Sequence, residues 1–288
     1  MLKNILISLR PKQWLKNVLV FAGAIFAEDL FVPHLVQYSV FAFIIFCMIS
    51  GSSYLVNDVM DRHKDALHPR KKFRPIASGK ISVKTALLLA FVLISMSLYS
   101  SFALNWQFGV IIACYFVTTL LYSLYFKQII ILDVIIIASG FMFRAIGGAF
   151  VINEQVSSWL IICTMFLALF FALNKRRAEI IALGDNAGTV RQTLLNYDLH
   201  YLDMMINIVT AACLMAYALY TLDPGTIVKF GTRNLVITLP FVIYGLFRYL
   251  YLAYHLNLGE TPETTIIKDK PILVCVLLYL VIVVIIIY

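Results

Sequence analysis

Long apolar runs recur along the whole chain and are separated by shorter polar segments. Each run holds about 17–22 residues, which is enough for a helix to cross a hydrocarbon core about 30 Å thick. The runs lack the alternation of apolar and polar residues that strands of a membrane β-barrel require. The pattern predicts an all-α, polytopic membrane protein with nine transmembrane helices, at 17–33, 35–56, 84–104, 107–125, 132–152, 157–174, 203–222, 235–255 and 272–288.

The lysines and arginines are distributed unevenly between the two sides of these predicted spans. They concentrate in the N-terminal segment and in the loops after the second, fourth, sixth and eighth spans, whereas the opposite loops hold only Lys229 and Arg233. Cytoplasmic loops carry the excess of Lys and Arg, so the pattern predicts a cytoplasmic N-terminus and an external C-terminus. No internal repeat or long linker divides the runs, and we expect a single domain over residues 1–288.

The composition agrees with a protein that lies in the bilayer. The chain is 62% hydrophobic and 13% charged, whereas soluble domains carry about 25% charged residues. The net charge of +8 follows from the positive-inside bias and does not indicate a nucleic-acid partner. All five cysteines lie inside apolar runs with no paired spacing, which indicates small buried side chains rather than a metal site.

Two polar segments, 57–83 and 175–202, are much longer than the others, and both fall on the predicted cytoplasmic side. Function tends to lie in long polar loops. We therefore expect these two segments to form the cap of an active site.

The first long segment opens with acids in helical register. Asp58, Asp61 and Asp65 follow Asn57 at spacings of three and four residues, so a helix places the carboxylates on one face. Neighbouring carboxylates repel one another, and a divalent cation offsets this; Mg²⁺ commonly takes one or two carboxylates plus phosphate oxygens of a substrate. The spacing alone is equally compatible with a solvated helix end whose acids pair with nearby cations.

A dense set of cations follows these acids: His68, Arg70, Lys71, Lys72 and Arg74. Guanidinium and ammonium groups are the donors that bind phosphate oxygens. A positive-inside loop needs the cations but not the ordered acids before them. The order of acids and then bases favours a site for Mg²⁺ and a diphosphate.

The motif Asn57-Asp58-x-x-Asp61-x-x-x-Asp65, followed by RPIASG at 74–79, resembles the first signature of the UbiA superfamily of intramembrane prenyltransferases. Nine helices with a cytoplasmic N-terminus match the fold of that superfamily, and the resemblance covers essentially the whole chain. It implies that the three aspartates are catalytic residues and that, together with Asn57, they hold Mg²⁺.

The second long segment differs from the aromatic-acceptor members of this superfamily, which carry a second Asp-rich motif there. Tyr197-Asp198 is present, but the next acid, Asp203, lies five residues further on. The segment opens instead with bases and a single acid: Lys175, Arg176, Arg177 and Glu179.

Three other stretches resemble the decaprenyl-phosphate phosphoribosyltransferase branch: RPKQWLKN at 10–17, Tyr122-Ser123 with Lys127 and Asp133, and the glycine-rich run 138–148. This resemblance implies Mg²⁺-dependent transfer of 5-phosphoribosyl from phosphoribosyl diphosphate to a decaprenyl-like polyprenyl phosphate, towards decaprenylphosphoryl arabinose for cell-wall arabinan. It also implies a bacterial cytoplasmic membrane and a site facing the cytoplasm. The residues predicted to bind substrate are Lys16, Asn57, Arg70, Lys71, Arg74, Lys127, Arg144, Lys175, Arg176, Glu179 and Tyr197.

Several of these interpretations have alternatives. Arg144 lies within a predicted span, where a charge usually faces a cavity, but it could equally pair with groups of the chain as part of the structure. Lys16 could anchor the chain to lipid headgroups, and Lys127 could be a plain positive-inside charge. Two other functions stay open, a UbiA-type transfer of a prenyl group from its diphosphate to an aromatic acceptor and a non-catalytic carrier of polyprenyl phosphate. Association into a homo-oligomer is also open.

Overall fold

The structure is a computed structural model that describes residues 2–27, 32–67, 71–183, 192–256, 258–259 and 261–288. Over these residues the chain is helical and contains no strand. We number the α-helices in chain order: α1 (Leu2–Leu9), α2 (Phe21–Phe26), α3 (Pro33–Met60), α4 (Arg62–Leu67), α5 (Val83–Leu104), α6 (Trp106–Leu124), α7 (Leu132–Val151), α8 (Ser158–Leu183), α9 (Leu199–Leu222), α10 (Pro224–Phe230), α11 (Leu239–His255), α12 (Pro262–Lys268) and α13 (Lys270–Ile287).

Eight helical segments among the described residues are long and apolar enough to cross a membrane. They coincide with the second to ninth predicted spans. The first predicted span, 17–33, instead forms part of a 3₁₀ helix, Pro11–Val20, followed by the six-residue α2. Hydropathy reports the length of an apolar run and not its hydrogen-bonding pattern, so it does not distinguish a 3₁₀ helix from an α-helix. A ninth transmembrane helix over this run and the cytoplasmic N-terminus stay predictions.

The two long polar segments contain more helix than the sequence predicts. α3 continues to Met60 and is followed by α4, and α8 continues to Leu183, well beyond the end of its apolar run. A helix satisfies its own backbone hydrogen bonds, so it can extend past the hydrocarbon core when its side chains become polar. The bases predicted to lie in the second loop therefore stand on the last turns of α8.

Side chains at the starts of several helices fix their boundaries. Ser82 accepts a hydrogen bond from the Thr85 backbone N–H at the start of α5, and Asn105 does the same for Phe108 at the start of α6. Asp269 caps α13 by accepting from the Ile272 N–H. Hydrogen bonds from the Arg248 guanidinium to both of its oxygens hold the pKa of Asp269 below its ordinary value. Such caps satisfy backbone donors that a helix leaves unpaired.

The helices form two compact units, residues 1–136 with 140–156 and residues 137–139 with 157–288. In the first unit, Phe46 of α3 packs edge-on against Phe108 and Tyr115 of α6, with ring centroids 5.9 and 5.6 Å apart. In the second unit, Phe170 of α8 packs against Tyr249 of α11. The single domain over residues 1–288 stays a prediction.

The 3₁₀ helix approaches α7 backbone to backbone. A Cβ atom at Gly148 would overlap the carbonyl group of Val20, and one at Gly23 would lie 2.7 Å from the Ala149 nitrogen. Small residues permit this close contact between helices in a membrane. The irregular N-terminal segment is thereby held against a regular helix of the same unit.

We expect Gly148→Ala to lower the stability of the protein by about 3 kcal/mol, because the new methyl group would displace backbone and not a flexible side chain. The measurement is the thermal unfolding temperature in detergent. Gly245→Ala is the matched control, since a Cβ there meets nothing within 4 Å. An unfolding temperature of Gly148→Ala equal to that of the wild type would contradict the close packing.

Candidate active site

The polar end of α3 and the short α4 carry the acidic motif. Asn57 and Asp58 lie in the last turn of α3, Asp61 is its C-cap, and Asp65 lies in α4. The N–H of Asp61 donates to the Asn57 carbonyl at 2.9 Å, and the N–H of Asp65 donates to the Asp61 carbonyl at 2.8 Å. The i to i+4 hydrogen bonds therefore continue through the motif and keep its acids in helical register.

Two arginines from different segments neutralise the buried acids. Asp58 and Asp65 are only 2% and 4% exposed. One guanidinium nitrogen of Arg74 donates to Asp58 Oδ1 at 3.1 Å and to Asp65 Oδ2 at 2.6 Å. Arg10 donates to the same Asp58 oxygen at 2.5 Å. Acids and bases thus alternate in one connected cluster, and buried carboxylates are stable only when paired in this way.

Asp61 is paired separately. Lys127, on the 3₁₀ helix Phe126–Gln128, donates to both carboxylate oxygens of Asp61 at 3.0 and 3.1 Å. Both side chains keep about a fifth of their surface exposed. The structure therefore brings the predicted substrate ligand Lys127 to the acidic motif.

The pair Asp58 and Asp65 fits a divalent cation. Their oxygens already share one nitrogen of Arg74, so one small cation can contact both carboxylates. Across the part of the chain that the structure describes, no group of three or more His, Cys, Asp or Glu side chains converges on one point. Mg²⁺ needs only one or two carboxylates when waters and phosphate oxygens complete its shell. The binding of Mg²⁺ by Asn57, Asp58, Asp61 and Asp65 stays a prediction.

Three other predicted ligands belong to this unit. Lys71 begins the 3₁₀ helix Lys71–Phe73, three residues before Arg74, and is half-buried. Lys16 lies in the 3₁₀ helix Pro11–Val20 and is half-buried as well. Arg70 falls outside the described residues.

Arg144 is buried inside α7 and donates hydrogen bonds to neutral groups of the chain. It is 4% exposed. Its nitrogens donate to Asn17 Oδ1 at 2.7 Å, to the Gly140 carbonyl at 2.5 Å and to the Tyr115 hydroxyl at 3.0 Å. Its guanidinium also lies 4.9 Å from the centre of the Tyr115 ring. Arg144 therefore ties the 3₁₀ segment to α6 and α7, and its predicted role in substrate binding stays a prediction.

We expect Arg144→Lys to lower the free energy of unfolding by about 2–3 kcal/mol, because one ammonium group cannot serve three separated acceptors and leaves buried ones unpaired. The measurement is thermal unfolding in detergent. Arg233→Lys, at an exposed loop position, is the control for the same chemical change. A variant with wild-type stability but weaker substrate binding would place Arg144 in the substrate site instead.

In the second unit, the polar end of α8 carries the predicted basic cluster. Arg176 is 2% exposed and donates to Glu179 Oε2 at 2.5 Å, while Lys175 lies 4.0 Å from the other oxygen of Glu179. Lys175 keeps 40% of its side chain exposed. Tyr197 is buried beyond the 3₁₀ helix Gln192–Asn196. The predicted residues Lys175, Arg176 and Glu179 are thus brought together.

A second cluster joins three helices of this unit. Arg177 of α8 and Tyr254 of α11 both donate to Asp203 Oδ1 of α9, each at 2.7 Å. The guanidinium of Arg177 also stacks 3.7 Å from the centre of the Tyr254 ring. The acid that follows Tyr197-Asp198 in sequence is therefore already satisfied by a base and a phenol.

Sequence reasoning missed Arg10, although the stretch that contains it contributes to the resemblance. A lone arginine in a basic N-terminal segment looks like a headgroup anchor. Its pairing with Asp58, 48 positions away, is visible only in three dimensions.

The chain is similar to known proteins over most of its length. The model of the UbiA prenyltransferase family matches residues 17–268. A decaprenyl-phosphate phosphoribosyltransferase of Corynebacterium glutamicum is 36% identical over 222 residues, which are 75% of this chain and 66% of that protein. One of Mycobacterium tuberculosis is 29% identical over 268 residues, or 91% of this chain and 87% of that protein.

A solved structure with the same fold is a UbiA homolog from Archaeoglobus fulgidus bound to GPP and Mg²⁺. It superposes with a TM-score of 0.74 at 20% sequence identity and covers 99% of both chains. This similarity shows a common fold alone. The match to the family model shows family membership. The chain belongs to the UbiA prenyltransferase family.

Proposed function

We propose that this protein transfers a 5-phosphoribosyl group from phosphoribosyl diphosphate to the phosphate of a decaprenyl-like polyprenyl lipid, with Mg²⁺. The observation that carries the proposal is the alternation of buried acids and guanidinium groups at the polar end of α3, formed by Asp58, Asp65, Arg10 and Arg74. Such a site can hold a cation and a diphosphate side by side. The name decaprenyl-phosphate phosphoribosyltransferase, which the two bacterial relatives carry, supports the choice of substrates.

The charges of the substrates account for the number of bases. The donor carries a diphosphate and a 5-phosphate, and the acceptor carries a further phosphate. The acids at the end of α3 would bind the diphosphate through Mg²⁺. Basic side chains would bind the 5-phosphate and the lipid phosphate. The bases at the polar end of α8 stay predicted substrate ligands, and Lys175 among them keeps 40% of its side chain exposed.

The transfer exchanges one bond at the anomeric carbon of ribose. The bond from this carbon to the diphosphate oxygen breaks, its electron pair leaves with the diphosphate, and an oxygen of the lipid phosphate forms the new bond. Bound Mg²⁺ supplies neutralising charge for the departing diphosphate. Asp58 and Asp65 would hold the ion, and Arg74 would donate hydrogen bonds to diphosphate oxygens. A phosphate monoester is mostly ionised at neutral pH, so no general base is needed.

We place this reaction at the cytoplasmic face of a bacterial inner membrane. The concentration of Lys and Arg near the ends of α3 and α8 supports this orientation. The phosphoribosyl lipid that forms would then remain in the membrane. Its use in making decaprenylphosphoryl arabinose for cell-wall arabinan is part of the proposal.

An aromatic prenyl transfer is the rival reaction within the family. It would require the acids of the second long segment to complete a diphosphate site. In this chain Asp198 and Asp203 stand five residues apart, and the segment opens with the bases Lys175, Arg176 and Arg177. This composition favours the phosphoribosyl reaction.

The test is a pair of assays on the full chain in detergent with Mg²⁺. One combines phosphoribosyl diphosphate with decaprenyl phosphate, and the other combines a prenyl diphosphate with 4-hydroxybenzoate. We expect diphosphate release and a new lipid only in the first assay. Turnover only in the second would assign the chain to aromatic prenyl transfer. No turnover in either, with retained binding of the lipid phosphate, would favour a carrier.

A further inference from the structure

The segment that carries Arg10 packs against an apolar cluster of the same unit. Ile5 and Leu9 of α1 pack against the buried cluster that contains Leu55 of α3 and Ile76. Arg10 follows α1 directly and adopts the left-handed conformation, with φ 53°, immediately before the 3₁₀ helix. A non-glycine residue in this region is uncommon. The chain therefore turns sharply at the residue whose guanidinium reaches Asp58.

The same small core positions the second arginine. Ile76, two residues after Arg74, is a buried member of this cluster. Arg10 and Arg74 thus reach Asp58 Oδ1 from two segments that pack on the same apolar cluster. The guanidinium of Arg10 also lies 4.7 Å from the centre of the Tyr54 ring, one turn before Asp58 on α3. The ring offers the guanidinium a second point of attachment that does not depend on the carboxylate.

The charge balance at Asp58 changes when a divalent cation binds. One carboxylate oxygen of Asp58 accepts from two arginines, and a divalent cation at this oxygen would compete with both. The side chains of Arg10 and Arg74 keep 26% and 25% of their surface exposed, whereas that of Asp58 keeps 3%. The arginines can therefore turn towards solvent and a ligand, while the acid cannot.

We propose that Arg10 exchanges partners during the reaction: it neutralises Asp58 when no metal is bound, and it binds an oxygen of the donor diphosphate when Asp58 holds the metal. This inference deepens the proposed function and rests on it. The N-terminal segment then belongs to the donor site, and is not only a membrane anchor. Tyr54 keeps the guanidinium beside the site during the exchange.

The exchange predicts that Arg10→Gln changes the affinity for the metal and the affinity for the donor in opposite directions. Loss of a competing cation should tighten metal binding about fivefold, which is the size of one partly exposed ion pair. Loss of a charge-assisted hydrogen bond should weaken donor binding about tenfold or more. Damage to the local structure would weaken both, so the opposite signs are specific to the exchange.

The experiment measures binding without turnover. Mn²⁺ is added stepwise to the full chain in detergent. The electron paramagnetic resonance signal of the free ion measures how much Mn²⁺ remains unbound. Phosphoribosyl diphosphate is titrated by calorimetry at saturating Mg²⁺ with no lipid acceptor. Lys12→Gln makes the same charge change at an exposed position two residues away, and should shift neither affinity by more than about twofold, since charges on an open surface are screened.

Tighter Mn²⁺ binding with weaker donor binding in Arg10→Gln would support the exchange. Changes of the same sign, an unchanged donor affinity, or equal effects of Lys12→Gln would overturn it. Arg10→Lys keeps the charge, so this variant should bind Mn²⁺ with the affinity of the wild type. It serves as the control in case the glutamine variant misfolds. A wild-type protein that binds Mn²⁺ but no donor would overturn the proposed function, while the Mn²⁺ titrations would still decide whether Arg10 opposes the metal.

Discussion

Asp58→Asn should reduce phosphoribosyl transfer about a thousandfold, the upper end of the loss when one preorganised electrostatic group is removed from an active site. The amide has the size of the carboxylate and can still accept hydrogen bonds from Arg10 and Arg74. It lacks the negative charge that a divalent cation requires. The loss should therefore appear in kcat, measured as diphosphate release, and excess Mg²⁺ should not restore it.

Glu154→Gln is the matched control, because this acid stands after the far end of α7 and makes no ion pair among the described residues. It should keep wild-type turnover. The Asp58→Asn protein should still elute as a folded species and bind decaprenyl phosphate. Turnover within tenfold of the wild type would show that Asp58 holds neither metal nor donor.

Arg74→Gln should impair both stability and activity, because one nitrogen of Arg74 serves two buried acids. Asp65 would lose the base that pairs with it, and an uncompensated buried charge is costly. We expect a loss of about 2–3 kcal/mol in the free energy of unfolding, after allowing for the partial exposure of the arginine. We also expect transfer to fall at least about a hundredfold, since the diphosphate loses a donor.

Arg74→Lys separates these two effects. A single ammonium can approach both carboxylates as the one guanidinium nitrogen does, so stability should return to within about 1 kcal/mol of the wild type. It cannot offer the paired donors that a guanidinium gives to phosphate oxygens. The KM for phosphoribosyl diphosphate should therefore stay raised about tenfold. Full recovery of both quantities would mean that Arg74 only balances charge.

The acidic motif could be predicted from sequence because its information is local. Asp58, Asp61 and Asp65 fall in helical register, and the structure continues the helical hydrogen bonds through them. The family was also identified correctly, since the motif and its exit at Arg74-Pro75 are specific. Eight apolar runs became long helices, because a bilayer-spanning segment must satisfy its own backbone hydrogen bonds.

The parts that sequence could not predict depend on contacts between distant residues. Lys127 meets Asp61 across 66 positions, and Arg10 meets Asp58 across 48. The 3₁₀ helix at the start of the chain lies against α7 where Gly148 meets the Val20 carbonyl. Hydropathy reports none of these pairings, and it also placed the polar ends of α3 and α8 in loops.

The most direct test of the proposed reaction is the composition of its product. The donor is phosphoribosyl diphosphate labelled with ¹³C in all ribose carbons, and the acceptor is decaprenyl phosphate with Mg²⁺. We predict a lipid whose mass has increased by one labelled phosphoribosyl group, with one diphosphate released for each lipid formed. An unchanged lipid beside labelled ribose 5-phosphate, or a labelled lipid without released diphosphate, would contradict transfer at the anomeric carbon.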